Sequence, residues 1–227
     1  MVQEWHDLLF MHWRVSADIL RGLVPASLEI DAFDGSAWVG VVPFRMSGIR
    51  MRGMPPIPGT SAFAELNVRT YVTVGGKAGV WFFGLDAASA LAVAAARRWF
   101  HLPYFRAQMA IANKPDGVID YRSRRTHRGA PAADLRVSYK PTGEVFNARP
   151  GSTEYFLTER YCLYAFDGRH IFRGEIDHAP WPLQPAEAEI RHNTMAAASG
   201  IMLPNEKPLL HFAKFQDVRI WGLSAAV

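Results

Sequence analysis

Apolar and polar residues alternate with a period of two through much of the chain. In Glu65-Leu66-Asn67-Val68-Arg69-Thr70-Tyr71-Val72-Thr73-Val74, one row is Glu65, Asn67, Arg69, Tyr71 and Thr73, and the other is Leu66, Val68, Thr70, Val72 and Val74. An extended strand sets these rows on opposite faces, one polar and one aliphatic. Gly75-Gly76 then turns the chain into an antiparallel partner, Lys77 to Leu85, rich in Val80, Trp81, Phe82 and Phe83. Beyond Pro103 the pattern predicts further strands in YFRAQMAIAN, VIDYRSRR, ADLRVSYK, LTERYCLYAF and HIFRGEIDHA, with turns at Pro115-Asp116-Gly117 and Asp167-Gly168. LLHFAKFQDVRIWGL supplies the last strand, and SLEIDAFDGSAWVGVVPF predicts two strands joined across Asp34-Gly35.

Four segments break this period. Ser16 to Leu23 predicts a short helix with a serine cap, ended by Gly22 and Pro25. DAASALAVAAARRWFH predicts the clearest helix, with Asp86 at its cap and Arg97-Arg98 in its last turns, where the helix dipole favours cations. A shorter helix is expected after Asn193. From Met46 to Gly59 the prolines at 55, 56 and 58 predict a loop, and its Met46, Met51, Met54 and Ile57 suit either packing over an end of the sheet or a lid on a pocket. With short turns between most strands, the expected fold is α+β and mainly β. A large curled antiparallel sheet would close into a β-barrel with a few peripheral helices, as a single domain over residues 1–227.

Composition narrows the class. Of 227 residues, 49% are hydrophobic and 20% charged, which suits a globular protein rather than a disordered or membrane one. No run approaches about eighteen consecutive apolar residues, and the first thirty residues lack the layout of a secretory signal, so a cytoplasmic protein is expected. The single Cys162 rules out an internal disulfide, and two neighbouring tyrosines make it a small buried hydrophobe rather than a nucleophile. A net charge of +4 permits an anionic partner. In YRSRRTHRG, however, Arg122 and Arg124 share one face of a strand while Arg125 points oppositely, so no basic stripe for nucleic acid forms. The eight histidines include no His-x-x-x-His pair, and the glycines form neither a phosphate loop nor a dinucleotide fingerprint. No metal or cofactor is expected. The expected partner is a small organic ligand, with homo-oligomerisation left open.

The succession VGVVPF, proline-rich loop, ELNVRTYV, Gly-Gly turn, GVWFFGLDA and FHLPYFRAQM, followed by TERYCLYAF and APWPLQPAEAEI, resembles the YqjF-like family of uncharacterised proteins. That family is similar in fold to acetoacetate decarboxylase, and the resemblance implies a curled sheet around a ligand cavity. It also matches Glu65 to a pocket-lining glutamate of the decarboxylases. Their catalytic lysine lies in a Gly-x-Pro-Lys-Lys turn, where this chain has His101-Leu102-Pro103-Tyr104-Phe105. Neither a phenol nor a phenyl ring forms the imine that accepts electrons in β-keto acid decarboxylation. Of Lys77, Lys114, Lys140, Lys207 and Lys214, only Lys214, on the terminal strand, has a route to a pocket.

The candidate catalytic residues are therefore Glu65, as an acid or base whose pKa burial would raise, and Tyr104, as a hydroxyl donor. Asn67, Arg69, Tyr71, His101, Glu159 and Arg160 are candidate ligand-lining residues, with a purely structural polar network as the competing role. Two classes of function follow. One is an enzyme of lyase or hydrolase type acting on a small organic acid or carbonyl compound without an imine. The other is a non-catalytic binding protein for an apolar or weakly acidic metabolite. A structural or interaction protein is a third.

Overall fold

A computed structural model describes residues 1–53 and 62–226. Its strands are β1 (Val2–Val15), β2 (Glu29–Ile30), β3 (Ala37–Arg50), β4 (Phe63–Val74), β5 (Lys77–Ala87), β6 (Tyr104–Asn113), β7 (Ile119–Arg125), β8 (Asp134–Pro141), β9 (Cys162–Phe166), β10 (Ile171–Asp177), β11 (Leu183–Asn193) and β12 (Leu209–Ala225). The helices are α1 (Ala17–Arg21), α2 (Ala90–Trp99) and α3 (Thr153–Thr158), with a single 3₁₀ turn at Ala197–Ser199 where a short helix was expected.

The strands form one twelve-stranded sheet in the order β10-β9-β5-β6-β7-β8-β11-β12-β1-β3-β4-β2, with added pairings β10–β12 and β5–β4. This overturns the expectation of a single antiparallel sheet closed into a barrel, because the sheet is mixed and it forks. One edge of β5 pairs with β4. Its other edge is shared, Val80–Trp81 pairing in parallel with β9 and Leu85–Ala87 in parallel with β6. Likewise β12 pairs with β1 along one edge and divides the other between β11 and β10. Parallel pairs need crossover connections, and α2 supplies the one between β5 and β6. Gly79 permits the fork: a Cβ there would lie 2.6 Å from Cys162 Sγ and 2.9 Å from the Cys162 carbonyl oxygen, so only glycine lets β9 approach this closely.

β1 had no counterpart in the sequence reading. It lies between β12 and β3, and Leu8, Leu9, Phe10, Met11, His12 and Trp13 are all buried in succession. A strand covered on both faces carries no period-two signal. The Asp34-Gly35 turn forms, with positive φ at both residues and a bridge between Phe33 and Ser36, but β2 pairs with β4 instead of folding back on β3. Asp86 does not cap α2. Ser89 does, accepting from the Ala92 N–H at 3.2 Å, and Arg97 and Arg98 occupy the last turn. The loop expected from Met46 begins later, because Met46 to Arg50 continue β3; the prolines at 55, 56 and 58, with residues 54–59 of the candidate lid, fall outside the described residues.

The two faces of β4 meet different surroundings. Leu66, Val68 and Val72 enter a continuous apolar core with residues of β1, β3, β7 and β8, among them Leu9, Val41, Tyr121 and Val137. The opposite row turns toward a space bounded by β1, β3, β4, β5, β9, β10, β12 and the inner side of α2.

Candidate functional site

That space is a cavity of about 200 Å³ with a mainly apolar lining that includes Trp5, Phe44, Met46, Phe82, Phe100 and Trp181. Small side chains of α2, Ala92, Ala95 and Ala96, cover it, so the alanine-rich stretch lets the helix backbone lie close over the opening. Polar groups enter mainly along β4, where Glu65, Asn67 and Arg69 follow one another at the two-residue period and are 3%, 6% and 8% exposed.

Glu65 is fixed by its backbone and its side chain together. Its carbonyl oxygen accepts from the Tyr121 hydroxyl of β7 at 2.6 Å, and its Oε2 accepts from the Tyr104 hydroxyl at 2.9 Å. Tyr104 reaches it because the start of β6 pairs in parallel with β5, Leu85 opposite Tyr104. Burial pushes the Glu65 carboxyl up to about 8, the charge of Asp86 adds to this, and the Tyr104 bond opposes it. The Tyr104 phenol is raised well above its ordinary value by burial and by Glu65. At neutral pH the pair is thus a carboxylic acid beside a phenol, with one exchangeable proton more than an ionised carboxylate would hold.

Arg69 does not bond Glu65. Its guanidinium lies 5.4 Å from the centre of the Phe10 ring, and its Nε and Nη2 are buried with no hydrogen-bond partner among the described residues. Asn67 Oδ1 and Trp181 Nε1 share that condition. Arg160 lines the cavity but is otherwise engaged, its Nη1 on Asp31 Oδ2 at 2.6 Å and its Nε donating to the Phe156 carbonyl at 2.7 Å.

Three of the residues expected to line the cavity have other work. Tyr71 is fully buried, its hydroxyl donating to the Leu157 carbonyl at 2.8 Å and sharing a hydrogen bond with His12 Nε2 at 2.7 Å. Glu159 accepts from the Trp181 backbone N–H at 3.0 Å and from the Tyr161 hydroxyl, so it positions a cavity wall without entering it. His101 is exposed, has φ 49° and stacks on Phe172 at 5.4 Å, facing a separate surface groove. Neither Glu159 nor Arg160 crosses to Glu65 or Arg69. Lys214 points outward, 72% exposed, with its Nζ 2.6 Å from Asp7, and no cavity-lining residue is a lysine. Among the described residues no three His, Cys, Asp or Glu side chains converge as a metal site, and no helix is long and apolar enough to cross a membrane. Cys162 is buried, and burial raises its thiol pKa.

Sequence reading missed Gln3 and Trp5, carried by the unrecognised β1, and also Thr158, His178 and Trp181. His178 and Trp181 fall in the stretches HIFRGEIDHA and APWPLQPAEAEI, where local pattern marks a strand and a family resemblance but not a cavity wall.

Comparison with known proteins gives a consistent picture. The family DUF2071, described as "Uncharacterized conserved protein", matches residues 2–217. The protein YqjF of Bacillus subtilis (strain 168), itself described as uncharacterized, is 49% identical over 223 residues, which is 98% of this chain and 91% of that protein. Among solved structures, the enduracididine biosynthesis enzyme MppR complexed with pyruvate matches with TM-score 0.67 and 13% identity, over 100% of this chain and 90% of that one. The acetoacetate decarboxylase of Legionella pneumophila matches with TM-score 0.65 and 11% identity, over 100% and 87%. These likenesses show a common fold.

Proposed function

The chain belongs to the DUF2071 family, and from that premise and its cavity we propose that it takes up a small organic acid or carbonyl compound and transfers a proton to or from it through Glu65, without an imine. One observation carries this reading: Glu65 and Tyr104 are hydrogen-bonded inside a mainly apolar cavity, with the carboxyl held in its acid form to about pH 8. A general acid works best when its pKa lies near the working pH. After Glu65 gives up its proton, the Tyr104 hydroxyl still donates to the carboxylate and stabilises it. A carbonyl oxygen near this pair would gain hydrogen-bond polarisation, which suits enolisation, hydration or lyase-type cleavage. Imine chemistry is not part of the proposal, since no lysine lines the cavity. The pyruvate complex of MppR supports the substrate class, because there a protein of the same fold binds a small oxo acid.

The test follows solvent deuterium into small oxo acids and ketones by proton NMR. Wild type is expected to catalyse exchange next to the carbonyl, Glu65→Gln to abolish it and Tyr104→Phe to slow it about 10-fold to 100-fold. Exchange that survives Glu65→Gln unchanged removes the reading. The mainly apolar lining favours one alternative, a non-catalytic binder of an apolar or weakly acidic metabolite. Mass spectrometry of small molecules carried through purification would then recover an unaltered ligand, with no exchange on any compound.

A further inference from the structure

The geometry points to a small carboxylate monoanion as the occupant of this cavity, its oxygens on the Arg69 guanidinium and the Trp181 indole N–H, bound together with a proton. This rests on the reading of the cavity as a ligand site and adds the ligand's charge and its proton linkage.

The first support is unmet donor capacity. Arg69 Nε, Arg69 Nη2 and Trp181 Nε1 are buried N–H donors with no partner among the described residues, and both side chains line the cavity. Indole and guanidinium nitrogens only donate, so whatever satisfies them must accept. Leaving such donors unmet in an enclosed site is costly, most of all on a charged group.

The second support is the charge around the site. Arg160 is matched by Asp31 at 2.6 Å. Arg125 is matched by Asp86 through bonds of 2.8 and 2.9 Å. His12 is kept neutral by burial, with Arg69 and His211 further lowering its pKa. Glu65 bonds Tyr104, and Asn67 stands between it and Arg69 along the strand. The Met1 ammonium, on the cavity's rim, donates to the Ile220 carbonyl at 2.7 Å, and among the side chains of this wall Arg69 is left without a counter-ion. A carboxylate supplies a single negative charge with the two-oxygen geometry a guanidinium binds best, and the apolar lining suits a hydrocarbon body better than a phosphate ion.

Proton linkage follows from the shared space. The groups around Glu65 are Tyr104 from β6, Tyr121 from β7, Asp86 from β5 with its partner Arg125, Arg69 on its own strand, and Arg160 and His178 across the cavity. Bringing a second anion close to Glu65 makes its ionised form still less favourable, so the ligand binds the acid form better. Above the pH at which Glu65 ionises, binding must therefore take up a proton.

Isothermal titration calorimetry of the full chain with butyrate and with its neutral isostere butyramide, in two buffers of different ionisation enthalpy, tests this. Butyrate is expected to bind at least about tenfold tighter than butyramide. Its affinity should be constant at about pH 6 to 7 and fall up to about tenfold per pH unit above about pH 8, with proton uptake approaching one there. Glu65→Gln should retain butyrate binding with a flat pH profile, and Arg69→Leu should lose the preference for butyrate over butyramide. If Arg69→Leu does not fold, the wild-type preference and pH profile decide. Equal binding of the two probes, tighter binding of inorganic phosphate, no butyrate binding at about pH 6 or a flat wild-type profile would each overturn the inference. Proton-linked butyrate binding without deuterium exchange sinks the catalytic reading alone. Exchange with equal binding of charged and neutral probes sinks this one alone.

Discussion

Two carboxyl groups occupy neighbouring strands in the same wall, and only one has a cation. Asp86, opposite Leu66 in the β4–β5 register, receives two bonds from Arg125, whose side chain is 2% exposed and lies 3.9 Å over the Phe105 ring. Glu65, opposite Ala87, has only the Tyr104 hydroxyl. Burial raises the pKa of both, and for Asp86 the bonds and charge of Arg125 pull it back. The paired carboxylate is a fixed structural ion, while the one facing the cavity keeps its proton to about pH 8. Burial alone does not mark a reactive carboxyl. Burial without a matched cation, beside open space, does.

The contrast is broken most strongly by changing pH. In the folded chain Glu65 stays protonated up to about pH 8, whereas its ordinary value is 4.5. Between those values the folded state binds more protons than the unfolded one, so stability falls as pH rises through that window and levels off above it. The loss amounts to about 4–5 kcal/mol at most. Urea unfolding should show Glu65→Gln losing this part of the slope and exceeding wild type at alkaline pH. A variant whose pH dependence matches wild type would mean that Glu65 ionises normally.

Removing the cation from the other carboxyl comes next. Arg125→Met leaves Asp86 buried and unpaired and should cost about 3–5 kcal/mol, read as a drop in urea midpoint. Asp86→Leu combined with Arg125→Met should recover most of that loss, since replacing a whole buried pair with apolar groups is often near neutral. A double variant no better than Arg125→Met would show that the pair serves for more than charge compensation.

Tyr104→Phe is a finer probe. It removes one hydrogen bond worth about 1 kcal/mol, and because that bond lowers the Glu65 pKa, the ionisation midpoint should move up. Carbon-13 NMR of the carboxyl would read it, and a downward shift would contradict the assigned geometry. Smallest of all is Lys214→Ala. Its exposed ammonium reaches the buried Asp7 carboxylate, which keeps Arg45 as a second cation, so the loss should be about 1 kcal/mol, with exchange activity unchanged. A loss of activity would bring a lysine back into the chemistry.

Much of the fold was legible in local pattern. The two rows of β4, the Gly75-Gly76 turn and the helix before Pro103 follow from the two-residue and 3.6-residue periods and from turn chemistry. Leu66 and Val68 belong in a core, so Glu65 and Arg69 had to face the other way, and the space on that side proved to be a cavity. β1 was invisible for the same reason it matters, since it is buried on both faces and carries Trp5 and Gln3 to the cavity. Asp86 looked like a helix cap because its partner lies 39 residues away, on β7.

The chain by itself determined which residues alternate, where it turns, and that positions 104 and 105 carry no amine. These are consequences of backbone geometry over a few residues and of side-chain chemistry. Only the tertiary structure decided that the sheet forks at β5 and β12, that Tyr104 meets Glu65, that Arg125 belongs to Asp86, and that Arg69 is left without a counter-ion. Those outcomes depend on which distant strands share an edge and in what register, and no local period records that choice.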